Sequence, residues 1–332
     1  MITNIVISGA TGFLGNYLVN KLSINDNLRI IALGRNSFKL NALENFVDST
    51  KKFNIGEDLN WINKIEGKII FLDLAYLSSG DLLLNKVNLK KHYKQIKKLS
   101  NNFNFNYIYT SSIAVYGDQM NIEDYSKVRH GNSSFRTYEY FKYLSEKYTK
   151  NIPNGIIWRL GHIVGPGSNY MKGVISNRYS CPLPPRQVTD ICLASSVYSE
   201  LSSVIHDNND FRNITFTEVN NLMDSNSWVK LLEEKFGIIF SSDQKKATIS
   251  KNKALYPLYL ECMVYLSIFI PNKLLSKINN YAFIAFKNKE KITTSSFSNH
   301  SNIIMSEYKI NKDEFDKSIE ECKEWFSKAL KV

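Results

Sequence analysis

Asn4-Ile5-Val6-Ile7-Ser8-Gly9-Ala10-Thr11-Gly12-Phe13-Leu14-Gly15 runs from an apolar stretch of strand length into a turn with three glycines. Beyond the turn, Leu14, Leu18 and Leu22 recur at helical spacing. The glycines therefore stand where a buried strand hands over to a helix. A dinucleotide pyrophosphate needs such a turn. Gly9 permits the tight bend, Gly12 lets backbone approach phosphate, Gly15 lets the helix pack close to the strand, and the helix N-terminus stabilises the anion. The spacing is G-x-x-G-x-x-G, one residue longer than the dehydrogenase pattern.

Working outward, Leu28 to Leu33 is a second apolar strand, followed by Gly34-Arg35-Asn36. The end of strand two meets the adenosine ribose in a site of this kind, where an acidic residue binds a free 2′-hydroxyl and an Arg accommodates a 2′-phosphate. Arg35 without a nearby carboxylate favours NADP(H) over NAD(H), with NAD left open. Residues 36–67 read as irregular and polar, with Asp58-Leu59 in their midst. Lys68 to Ala75 contains a further buried strand. Val87-Asn88-Leu89, Tyr93, Ile96 and Leu99 mark a helix with lysines on its outer face, and Asn106 to Thr110 is the next strand. This alternation predicts an α/β fold, a Rossmann-like doubly wound parallel sheet.

Ligands of such sheets bind at the carboxyl ends of the strands, and Ser111-Ser112 lies at one of them. A helix follows in which Tyr138 and Lys142, four residues apart, share a face. A phenol is a poor acid-base group at neutral pH, because its unperturbed pKa is about 10. A neighbouring ammonium favours the phenolate and brings it toward the working range. A Ser hydroxyl can then hold the reacting oxygen. Tyr143 and Lys147 repeat the spacing, so position after the Ser-bearing strand singles out the first pair.

At this point the chain resembles the extended short-chain dehydrogenases/reductases of the NAD-dependent epimerase/dehydratase family acting on nucleotide sugars. Four ordered blocks carry the likeness. They are the glycine turn, Ser112-Ile113-Ala114-Val115-Tyr116-Gly117, Tyr138 to Lys142 as Y-x-x-x-K, and Arg159-Leu160-Gly161-His162-Ile163-Val164-Gly165-Pro166-Gly167. Weaker matches are Asp58-Leu59 on the adenine side, Leu74-Ala75 on the cofactor side, Asn88 on its helix, and Val188-Thr189-Asp190. The resemblance implies Tyr138 as acid-base residue, Lys142 on the nicotinamide ribose, and Ser112 on the reacting oxygen. It implies a cofactor site drawn from Gly9, Thr11, Gly12, Phe13, Leu14, Gly15, Arg35, Asp58, Leu59, Leu74, Ala75, Asn88, Tyr138, Lys142 and His162. It also implies a homodimer.

Three residues depart from the pattern. His162 replaces the usual Asn. Asp73 stands where His is usual before Leu-Ala. Ile113-Ala114 occupies positions where 4,6-dehydratases carry an Asp-Glu pair, which argues against elimination of water and for hydride chemistry, either keto-sugar reduction or epimerisation.

The organisation expected is an NAD(P)-binding unit over residues 1–164 and a smaller substrate-binding lobe over 165–332, with interleaving of the two left open. Trp228, Leu231, Leu232 and Phe236 fit an amphipathic helix ending at Gly237. Asn311 and Glu314 form a capping box ahead of a last helix faced by Phe315, Ile319, Cys322 and Phe326. Residues 255–275 are apolar, but their uninterrupted part is shorter than the roughly 20 residues a bilayer span needs. They read as a buried helix, an interfacial membrane contact or part of a lipid pocket. The last option keeps a hydroxysteroid-type or other lipid dehydrogenase in view. A non-catalytic nucleotide-sensing protein of the same fold is the other alternative, against which the set Ser112, Tyr138 and Lys142 argues.

With 332 residues, the chain is long enough for one large domain or two modest ones. The formal charge of +11 comes from dispersed lysines, without a nucleic-acid-binding motif. Such a field suits a di-anionic cofactor or substrate. Four separated cysteines give neither a zinc nor a disulfide pattern. With no cleavable signal read at the N-terminus, a reduced, cytoplasmic protein is expected.

Overall fold

The computed structural model describes residues 2–76, 82–102, 104–112, 115, 137–175, 191–206, 214–216, 225–237 and 312–329. The first half alternates as the sequence predicts, with α2 and β3 in addition: β1 (Thr3–Ser8), α1 (Phe13–Leu22), β2 (Leu28–Gly34), α2 (Ser37–Asn41), β3 (Ser49–Lys52), β4 (Lys68–Asp73), α3 (Leu82–Leu99), β5 (Phe105–Ser112), α4 (Thr137–Thr149) and β6 (Gly155–Leu160). There follow β7 (His162–Val164), α5 (Asn169–Ile175), β8 (Ile191–Leu193), α6 (Ala194–His206), β9 (Ile214–Phe216), α7 (Ser225–Phe236) and α8 (Lys312–Ala329).

Seven strands form one sheet in the order β3-β2-β1-β4-β5-β6-β9, and every neighbouring pair is parallel. All the carboxyl ends therefore lie along one edge, where an open α/β sheet binds its ligand. Strand β9 reaches this sheet from the second half of the chain, pairing Trp158 with Ile214.

Alternate residues of the buried strands feed two cores, one on each face. Ile5, Ile7, Ile70, Leu72, Ile108 and Trp158 pack with α1 and α6. Val6, Phe71, Phe105, Tyr107 and Tyr109 pack with α3 and α4. A third cluster joins β7 and β8 to α5, α7 and α8 through Val164, Met171, Leu193, Trp228, Ile319 and Phe326. The predicted faces of α7 and α8 are the ones buried there. Gly237 ends α7 with a φ of +65°, its N–H bonding back to the Glu233 carbonyl at 2.9 Å.

Residues 36–67 are more ordered than their polarity suggests. They contain α2, β3 and two short 3-10 turns, and they bury Leu40, Leu43, Phe53, Ile55, Leu59 and Ile62. Strand β3 is Ser49-Thr50-Lys51-Lys52, an edge strand whose lysines are solvent-exposed. An edge needs no apolar alternation, and lysines there discourage further pairing. Among the described residues, no helix is long and apolar enough to cross a membrane.

Candidate active site

The glycine turn closes on its own backbone. Gly12 N–H bonds to the Gly9 carbonyl at 2.9 Å, and Asn16 N–H to the Gly12 carbonyl at 2.8 Å. Gly9 has a φ of +70°, a conformation that L side chains rarely adopt. A Cβ there would also lie 3.1 Å from the Leu74 carbonyl carbon and the Ala75 nitrogen. The turn thus rests directly on the Leu74-Ala75 segment after β4. Gly12 is the N-cap of α1 and makes no side-chain cap bond, and the first turn carries no acidic residue. The open N–H groups and the helix dipole suit an anion. A Cβ on Gly15 would sit 2.4 Å from the Gly9 carbonyl oxygen, so α1 could not approach β1 as it does.

Two further motifs meet this turn. Thr11 packs over Gly34, where a Cβ would be 2.9 Å from the Thr11 methyl, and exposed Arg35 comes next along the chain. Phe13 lies against Gly165 and Gly167, so the loop after β7 borders the start of α1. Asp58 is exposed beyond β3 and accepts from Asn60 N–H at 3.1 Å. The adjacent Leu59 is buried, and its N–H is held by Gln95 of α3 at 2.7 Å. Gly56, with a φ of +93°, presses this loop on Asn88.

At the end of β5, Ser112 is half-buried. Lys142 reaches across from α4. Its Nζ donates to the Thr110 carbonyl at 2.6 Å and stands 5.1 Å from the Tyr109 ring centroid and 5.9 Å from that of Tyr76. Burial lowers its pKa to about 8, against the opposing pull of Asp73 and then Glu146. Helix α4 includes Tyr138 one turn before Lys142, though the Tyr138 side chain falls outside the described residues. So do Ile113-Ala114, Tyr116-Gly117, Val188-Thr189-Asp190, Asn311 and the apolar segment 255–275.

Two buried polar groupings support α4 and β4, and sequence reading did not assemble either. Arg159 of β6 bonds both carboxylate oxygens of Glu146, Nε at 2.9 Å and an Nη at 2.7 Å, which ties α4 to the sheet one turn beyond Lys142. Asp73 accepts from Tyr107 at 2.7 Å, from His92 Nε2 at 2.9 Å, and from Ser8. Burial alone would raise the Asp73 pKa, but His92 and the hydrogen bonds from His92, Ser8 and Tyr107 bring it below the usual carboxylate value. The available signal was a His at an apolar position of α3, between Leu89 and Ile96.

His162 stacks on Tyr170, with ring centroids 5.0 Å apart and an 18° interplanar angle. Burial lowers its pKa to about 4, which keeps the imidazole neutral at physiological pH. Tyr170 in turn accepts from Trp228 Nε1 at 3.1 Å. Cys322 of α8 donates to the Gly165 carbonyl at 3.4 Å, and Trp325 covers Gly167. Among the described residues, no group of His, Cys, Asp and Glu is arranged to hold a metal ion.

The fold recurs in solved structures. One is the dTDP-glucose 4,6-dehydratase of Bacillus anthracis in complex with NAD, at 15% identity and a TM-score of 0.58, covering 98% of this chain and 97% of that one. Another is a UDP-N-acetylglucosamine 4-epimerase of Methanobrevibacter ruminantium in complex with UDP-N-acetylmuramic acid, at 16% and 0.59, covering 99% and 100%. A third is the UDP-glucuronic acid 4-epimerase of Bacillus cereus in complex with UDP-glucuronic acid and NAD, at 15% and 0.57, covering 86% and 100%. At such identities the likeness shows the fold alone. No curated protein matches by sequence. The model of the NAD dependent epimerase/dehydratase family matches residues 5–181, from within β1 to beyond α5, and the chain belongs to that family.

Proposed function

We propose that this chain is an NAD(P)-dependent oxidoreductase of nucleotide-linked sugars, acting as a 4-keto-sugar reductase or a sugar epimerase. The observation that carries the reading is buried Lys142, anchored on the Thr110 carbonyl beside Ser112, with Tyr138 one helical turn earlier. The glycine cradle fits a dinucleotide, because side chains at Gly9, Gly12 or Gly15 would fill the space that backbone and phosphate need.

Gly12, Phe13 and Leu14 at the start of α1 would hold the pyrophosphate. Arg35 and Thr11 would border the adenosine ribose, Asp58-Leu59 and Asn88 the adenine side, and Leu74-Ala75 and His162 the nicotinamide side. Arg35 supports NADP(H), with NAD the alternative. The cofactor supplies the hydride chemistry when bound, and the protein supplies orientation and electrostatics. Lys142 donates to ribose hydroxyls and favours the Tyr138 phenolate. Tyr138 moves the proton at the substrate oxygen, and Ser112 holds that oxygen. Ile113-Ala114 lacks the acid and base that water elimination needs, which favours plain hydride transfer. The small cluster of β7, β8, α5, α7 and α8 supports a substrate lobe over much of 165–332. A homodimer and a cytoplasmic, reduced setting belong to the same reading.

The test is to denature purified protein, identify any released nucleotide, and titrate the empty form with NADPH and NADH. Retained NAD⁺ indicates an epimerase that keeps its cofactor; an empty protein preferring NADPH indicates a reductase. Binding of neither overturns the reading. With a panel of nucleotide sugars and keto sugars, Tyr138→Phe abolishes turnover while dinucleotide binding persists. Full activity in that variant sinks the mechanism.

A further inference from the structure

Asp73 is a buried ion that the chemistry above does not use. It is 2% exposed at the last position of β4, and donors from three different elements converge on it: Ser8 of β1, His92 of α3 and Tyr107 of β5. Burying a carboxylate is costly unless its lone pairs are matched, and here the matching is nearly complete. The arrangement preserves a negative charge at the carboxyl edge of the sheet.

Asp73 lines a small cavity together with Tyr76, Tyr109, and Phe141 and Ser145 of α4, the helix that carries Lys142. Asp73 pairs in register with Tyr109, and the Lys142 ammonium stands 5.1 Å from the Tyr109 ring centroid. Thr110 couples the two residues through the backbone. Its hydroxyl donates to the Asp73 carbonyl at 2.8 Å, and its own carbonyl accepts Lys142 Nζ at 2.6 Å. Among the described residues, the ionisable groups at this point are Asp73 from β4, Tyr76 after it, His92 and Tyr93 from α3, Tyr107 and Tyr109 from β5, and Glu146 on the helix of Lys142 itself. Glu146 already neutralises Arg159 through two hydrogen bonds. Among the described residues, Asp73 has no Lys or Arg among its hydrogen-bond partners, and its basic partner is His92 at 2.9 Å.

We propose that Asp73 is the fixed counter-anion of Lys142, a positioning residue that keeps the ammonium charged and anchored where the nicotinamide ribose is bound. The proposal rests on the functional reading of Lys142 given above. Its electrostatic sense agrees with the surroundings of the lysine: burial disfavours the ammonium, and Asp73, then Glu146, oppose that effect.

The test follows NADPH and NADH fluorescence on binding to the full chain, from about pH 6 to about pH 10, in the wild type, Asp73→Asn and Tyr107→Phe. Wild-type affinity falls as Lys142 deprotonates, with a midpoint near 8. In D73N the ammonium loses its anion and the midpoint moves down by about 1 unit or more. Y107F removes a hydrogen bond but no charge, so its melting temperature drops while the midpoint stays in place. An unmoved midpoint in folded D73N overturns the proposal. If D73N does not fold, Asp73→Asn combined with His92→Asn removes the charge and puts a hydrogen-bonding amide pair in place of the carboxylate and imidazole, and the same two outcomes decide. Binding of neither dinucleotide by the wild type overturns the functional reading itself, a result distinct from binding with an unmoved midpoint.

Discussion

Gly15→Ala separates what the glycine turn does for the fold from what it does for a ligand. The new methyl would lie 2.4 Å from the Gly9 carbonyl oxygen, 2.7 Å from Ala10 Cα and 3.0 Å from the Ala10 carbonyl carbon. All three neighbours are main-chain atoms, so no rotamer change relieves them, and the start of α1 has to retreat from β1. Overpacking of this kind costs about 1–3 kcal/mol. Alanine returns about 1 kcal/mol of helix propensity relative to glycine. The net loss of stability is about 1 kcal/mol, read as a small drop in urea midpoint with an unchanged slope. Dinucleotide binding suffers more, because the retreat carries the first N–H groups of α1 away from the pyrophosphate. One hydrogen bond to a charged group is worth about 1.5–3 kcal/mol, or roughly a 10- to 100-fold rise in Kd. The two titrations, urea against folding and NADPH or NADH against binding, are run on the same preparation. A G15A protein that binds with wild-type affinity refutes the reasoning, since it would mean that the close approach of α1 to β1 does not set the anion site.

Two further substitutions probe the support beneath the site. Arg159→Met leaves Glu146 buried without its bidentate partner, and breaking such a pair costs about 3–5 kcal/mol; urea unfolding measures it, and a loss below 1 kcal/mol contradicts the assignment. Lys142→Met acts in the opposite direction at neutral pH. The folded-state pKa of about 8 lies below the unfolded value of about 10.4, so the buried ammonium costs stability below pH 8. That cost, about 3 kcal/mol, fades as pH rises from about 8 toward about 10.4. K142M is therefore the more stable protein at pH 7, less the lost bond to the Thr110 carbonyl, and its advantage shrinks as pH is raised. Thermal melts at successive pH values show this, and an advantage that grows with pH contradicts it.

The sheet was legible because β1, β4 and β5 are buried on both faces and read as apolar runs, and because glycines punctuate the first turn. Edge strand β3 was not, since an exposed Ser-Thr-Lys-Lys segment has no apolar periodicity to read. The site divides the same way. Gly9, Gly12 and Gly15 have backbone reasons to be glycine, and those reasons survive in sequence spacing. Lys142 was found through its distance from Tyr138. The Asp73 cluster was not assembled, although Asp73 itself stood out as a departure. Its partners come from positions 8, 92 and 107, which meet only when β1, α3 and β5 are assembled around β4. His92 looks like an ordinary member of an apolar helix face until the carboxylate opposite it is known. The Glu146–Arg159 pair was hidden likewise, Arg159 lying inside a motif noticed for another reason and Glu146 in none.

Helix α8 reaches back to the beginning of the chain: Lys21 at the end of α1 bonds Glu321 at 3.3 Å, across 300 residues. At about 5–20 residues per second of synthesis, Lys21 is made roughly 15–60 s before its partner. The strands β1 to β6 can pair during that interval, while one flank of α1 and the loop at Gly165 and Gly167 wait for their cover. The nascent protein therefore passes through a stage with its sheet built and this flank open. The apolar surface open at that stage is the one α8 later covers, Val164, Met171, Leu193 and Trp228, and it is there that a chaperone would find a hold.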